Sequence, residues 1–96
     1  MTAKEIKTLN WWIAEHVFGC TPDPEQCGWV KQVRADGKTY NFELPDYTSP
    51  AGAMELLKKC IIKDAYSTGS MIRGASEEFG TLETQICLFA KKLYEV

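Results

Sequence analysis

Residues 28–44 read GWVKQVRADGKTYNFEL, and they decide the fold. Asp36-Gly37 lies between two runs in which polar and apolar residues alternate. That is the short-range signature of a β-hairpin, because a two-residue turn of this kind wants positive φ at both central positions. A turn centred on Asp36-Gly37 sets Val33 opposite Tyr40, Lys31 opposite Phe42 and Trp29 opposite Leu44. These six side chains then share one face, with the alkyl stem of Lys31 laid along the aromatics. Val30, Gln32, Arg34, Thr39, Asn41 and Glu43 form the opposite face, which is mostly polar and is expected to be partly wet.

Helical patterns flank the hairpin. Thr2-Ala3-Lys4-Glu5 is a capping box, and Ile6, Leu9, Ile13 and Val17 follow at spacings of three and four. Gly19 sits where a left-handed terminal residue is wanted, so a helix is predicted over about 3–18. Ser49 is a good N-cap and Pro50 suits the first helical position. Ala53, Leu56, Leu57, Cys60 and Ile61 give the inner stripe of a helix over 50–61. Thr81 caps a third helix over 82–94, with Leu82, Ile86, Phe89, Ala90 and Leu93 inward and Cys87 and Tyr94 on a flank. CTPDPEQCG reads as a loop, since two prolines in three residues stop a regular element. Residues 62–80 are the least regular: Ser67–Ser70 reads as a turn and 70–73 as a third strand beside the hairpin. The expected fold is α+β: a single domain over 1–96 in which a small antiparallel sheet packs with three helices as an α-β-α sandwich.

The totals exclude several functions. The net charge is −2, and no run of Lys and Arg offers the clustered charge that direct nucleic-acid binding requires. No apolar run is long enough to span a membrane, and MTAKEIKTLN lacks the apolar stretch of a signal peptide. A cytoplasmic location with reduced thiols is the expectation. Cys20 and Cys27 are seven apart, too far for the usual zinc pair, and Cys60 and Cys87 fall in different helices. Neither a metal nor another cofactor is expected. No phosphate-binding glycine loop, metalloprotease helix or nucleophile elbow occurs. His16 has only Cys20 nearby as a nucleophile partner, and Asp23, Glu25, Glu77 and Glu78 read as solvated loop carboxylates. An enzyme is not expected.

Three stretches carry a resemblance: WIAEHVFGC (12–20), LPDYTSPAGAMELLKK (44–59) and GTLETQICLFAKKL (80–93). Together they resemble the phage ABA (α-β-α) sandwich family of small phage- and prophage-encoded proteins. Ala14, Glu15, Val17 and Gly19 match its first phrase, with Phe18 in place of methionine and Cys20 in place of tryptophan. Pro45, Tyr47, Thr48 and Ser49 match the helix entry. Thr81, Ile86 and Cys87 match the closing helix, with Gln85 where alanine is usual. The resemblance implies a three-layer α-β-α fold and a phage or prophage origin, with no implied reaction.

Binding remains. Trp11 and Phe18 lie off the core stripe of the first helix, seven apart and among charged residues, and Leu88 is left over on the last helix. These three are the candidate partner-binding residues, and a homodimer joined through the first helix would cover Trp11 and Phe18. The resemblance implies a non-enzymatic phage accessory protein, and a host protein, such as one of host defence, is then the expected partner. The alternative is a sponge for a nucleotide-like signalling molecule, held by Tyr47, Thr48, Ser49, Tyr66 and Arg73 near helix N-termini in a homo-oligomer. A virion or assembly component is a further alternative.

Overall fold

The computed structural model describes residues 2–74 and 81–95. The fold is α+β, with four helices and one three-stranded antiparallel sheet among the described residues. The order is α1 (Ala3–His16), β1 (Thr21–Pro22), β2 (Trp29–Val33), β3 (Thr39–Glu43), α2 (Pro50–Lys63), α3 (Ala65–Arg73) and α4 (Leu82–Tyr94). The chain gathers into two compact units, Met1–Pro45 and Asp46–Val96. The first holds α1 and the sheet, and the second holds the other three helices.

In the first unit, α1 opens on the capping box: Thr2 Oγ1 accepts from the Glu5 N–H at 3.2 Å. Leu9, Ile13, Ala14 and Val17 are buried along one stripe. The helix closes on a widened turn in which Phe18 N–H donates to Ile13 O and Cys20 N–H to Ala14 O. Gly19 takes φ +67° there, a left-handed conformation that favours a residue without Cβ.

The hairpin exists, but its register differs by one residue. Val33 pairs with Thr39, Gln32 with Tyr40, Lys31 with Asn41, Val30 with Phe42 and Trp29 with Glu43. The cause lies in the turn. Gly37 N–H donates to Arg34 O and Arg34 N–H to Lys38 O, so the loop has three residues rather than two. Of Asp36 and Gly37, only Gly37 has positive φ, +78°. A three-residue loop ending in a left-handed glycine is a type I turn with a glycine bulge. The one-residue shift leaves β3 as expected but turns β2 over. Val30 is fully buried, while Val33 is 70% exposed and Lys31 faces away from Phe42.

The third strand is not 70–73. It is β1, Thr21–Pro22, inside the stretch read as a loop, with Thr21 opposite Lys31 and Pro22 opposite Val30. Asp23 N–H donates to Trp29 O, so odd-numbered positions of β1 face the ladder and the Pro22 nitrogen faces outward. An edge strand accommodates proline in that orientation.

In the second unit, α2 runs to Lys63, and the expected turn and strand over 67–73 are instead the helix α3. The remainder of the expected loop, 75–80, lies outside the described residues, as do Glu77 and Glu78. Asp64 joins α2 to α3. Its N–H donates to Cys60 O, and its carboxylate accepts from the Ser67 N–H and hydroxyl at 3.0 and 2.8 Å. Leu56, Cys60, Thr68, Cys87 and Ala90 are fully buried. Ile61 and Leu82, expected inside, are each 47% exposed, and Cys87, expected on a flank, is inside. Long-range side-chain bonds help to fasten α4. Cys87 Sγ donates to Tyr47 O at 3.0 Å, and Tyr94 Oη to Lys59 O at 3.1 Å. The first tie meets the chain just before α2 and the second meets α2 itself.

Candidate functional site

PDYTSP (45–50) is a helix entry braced by its own side chains. Asp46 Oδ1 accepts from the Thr48 N–H at 3.0 Å and from its hydroxyl at 2.6 Å. Ser49 Oγ donates to Asp46 O and accepts from the Gly52 N–H at 3.2 Å. Tyr47 is 3% exposed, so its ring belongs to the interior of the unit rather than to a stacking surface. Of the five residues proposed to hold a ligand, only Tyr66, 81% exposed, and Arg73 stand well out. Both lie on α3, seven positions apart and hence on nearly the same face. Arg73 Nη2 donates to Ser70 Oγ at 3.4 Å.

The proposed partner strip is also divided. Trp11 and Phe18 are half-buried in the first unit, and Phe18 lies past the end of α1. Leu88, 42% exposed, belongs to the second unit. There it lines a shallow groove of about 240 Å³ with Met71, Gln85, Phe89 and Lys92. Periodicity could not show what covers Trp11, because a stripe records only which side chains share a face.

The exposed apolar side chains are unevenly placed. Of eight large ones among the described residues, Met54, Ile61, Ile62, Tyr66, Ile72, Leu82 and Leu88 are in the second unit, and only Val33 is in the first. Ile62 and Tyr66 are each 81% exposed. The signal was present in the sequence for Ile62, which falls off the Ala53/Leu56/Cys60 stripe.

The titratable groups that shift all move away from neutrality. Burial pushes the Cys60 thiol up to about 11 and the Cys87 thiol up to about 12, the latter helped by Asp46, Cys60 and Glu83. Burial also raises Cys20, with Arg34 opposing. All four cysteines are free thiols, and of them only Cys27 is exposed. The hydroxyl of Tyr40 and the backbone of Lys38 hold Asp36 below the ordinary carboxylate range, and the Ser67 backbone and hydroxyl do the same for Asp64. His16 stacks on Trp12 with ring centroids 4.5 Å apart. Asp23 is not a solvated carboxylate. It is 7% exposed and accepts from the Glu25 N–H at 2.9 Å and from Asn41 Nδ2 at 3.3 Å. No group of three or more potential metal ligands gathers among the described residues. No described helix is long and apolar enough to cross a membrane. Compared with known proteins, the chain matches no family model, no curated protein and no solved structure.

Proposed function

We propose that the chain acts by binding a protein, without a catalytic step of its own, and that the helical unit supplies the contact face. The carrying observation is the concentration of exposed apolar side chains there, above all Ile62 and Tyr66. Single exposed apolar residues are ordinary on any surface, but several on one small helical unit favour a contact face. The reading also rests on the chemistry of the buried thiols, which are held in their neutral, unreactive form. The resemblance to a phage family makes a host protein, including one of host defence, the partner class to test first.

The test is affinity capture with paired variants. Ile62→Lys with Tyr66→Ser is expected to abolish capture of the partner while leaving the circular dichroism spectrum and melting temperature unchanged. Retained capture in that variant, with loss in Trp11→Ala with Phe18→Ala, would move the contact face to α1. Retained capture in both would remove the proposal. The nucleotide-like ligand keeps one supporting observation, the shared face of Tyr66 and Arg73. A thermal-shift panel of cyclic and ADP-ribose-type nucleotides decides it, since ligand at 100 times its Kd stabilises by about 2.7 kcal/mol.

A further inference from the structure

The sheet has two edges of different character. Bonded pairs between β2 and β3 fall at even positions, as Leu44 N–H to Gly28 O and Arg34 N–H to Lys38 O show. The N–H and C=O groups of Thr39, Asn41 and Glu43 therefore point away from β2. No backbone bond to them occurs among the described residues, and all three residues are exposed. The other edge, β1, is two residues long and carries Pro22. Short length and proline are the usual means of blunting an edge. β3 has five residues and no proline, so it remains an open template.

We propose that this edge pairs antiparallel with the same edge of a second copy, joining two three-stranded sheets into one. The occupant follows from self-complementarity. A two-fold axis at Asn41 sets Asn41 against its own copy and Thr39 against Glu43. All three outward-facing residues then bond, each pair exchanging two hydrogen bonds. Two-fold axes at Tyr40 or Phe42 would each engage only two of the three. In the favoured register Tyr40 meets Phe42 across the axis at the closer, non-bonded spacing, which suits aromatic pairs. The two copies of Glu43 face threonine rather than each other, so like charges are not opposed. The blunted β1 edge stops growth at two chains. This interface is separate from α1 and independent of any protein-binding role of the helical unit.

Amide exchange of the wild-type chain is the test. Thr39, Asn41 and Glu43 N–H groups are expected to slow by about tenfold or more between about 5 µM and about 500 µM chain, while Tyr40 and Phe42, already bonded to β2, change little. The solution mass should rise above the 10.8 kDa of one chain over the same range. Thr39→Pro removes an outward N–H without touching the β2 ladder, and is expected to hold the mass at one chain with the hairpin amides still protected. A mass of one chain at the highest concentration overturns the proposal. So does a dimer in which the three outward amides exchange at the same rate at every concentration.

Discussion

Gly52 occupies the first turn of α2, where glycine costs helix stability relative to alanine. A Cβ there would run into the carbonyl group of Asp46 and the Cα of Tyr47. The chain folds back over its own helix mouth, and only a residue without a side chain admits that approach. Gly52→Ala is therefore expected to destabilise rather than stabilise, by about 1–3 kcal/mol on the scale of overpacking, as chemical denaturation would register. Ser49→Ala should cost about 1 kcal/mol through loss of the cap on the Gly52 N–H. Both residues were visible in the sequence, but only the cap was readable. Ser49-Pro50 announces a helix start by residue type, whereas the approach of Asp46 to Gly52 is a through-space event with no local signature. Tyr47 and Asp23 were misread for a related reason. Each looked like a surface residue beside prolines, and each was withdrawn by packing that composition does not record. The thiols invite a direct check. Under native conditions an alkylating reagent should modify Cys27 rapidly and Cys20, Cys60 and Cys87 slowly, whereas in denaturant all four should react alike.

At the scale of elements, three of the four helices were legible because each combines a cap with an apolar stripe. α3 was not. Its Ser67-Thr68-Gly69-Ser70 core has weak helix propensity and resembles a turn, yet Asp64 nucleates it from outside. The hairpin was legible in place but not in register. Asp-Gly fits both a two-residue loop and a three-residue loop with a glycine bulge, and the choice sets the face of every residue in β2. Tyr40 Oη donates to Asp36 Oδ2 at 2.7 Å, Asp36 Oδ1 accepts from the Lys38 N–H, and Arg34 lies 4.1 Å over the Tyr40 ring. These contacts favour the longer loop. Asp64 closes α2 and opens α3 together. Its carboxyl is held below its ordinary value of 3.8 by Ser67, so its contribution is present above that pH and is lost as pH falls through the folded-state value. Asp64→Asn is expected to flatten the acid limb of the stability curve below about pH 4, measured by urea midpoints.

For the whole molecule, the alkaline limb belongs to the buried thiols. Cys60 and Cys87 have folded values of about 11 and about 12, against an ordinary 9.0. Between those values the unfolded chain loses protons that the folded chain keeps, so stability falls as pH rises from about 9. Replacing Cys60 and Cys87 by alanine should remove that part of the slope, at the cost of a lower midpoint at pH 7. One further consequence follows from how α4 is fastened. The Cys87–Tyr47 bond spans 40 positions and the Tyr94–Lys59 bond 35, whereas Gln32 Nε2 reaches Phe18 O in the first unit over only 14. During synthesis on the ribosome, the hairpin and α1 can form these nearby bonds while α2 still waits for its neighbour. Until α4 has cleared the ribosome, the emerged part of α2 and Tyr47 lack their α4 neighbour, and that interval is when they are open to chaperones or to proteases.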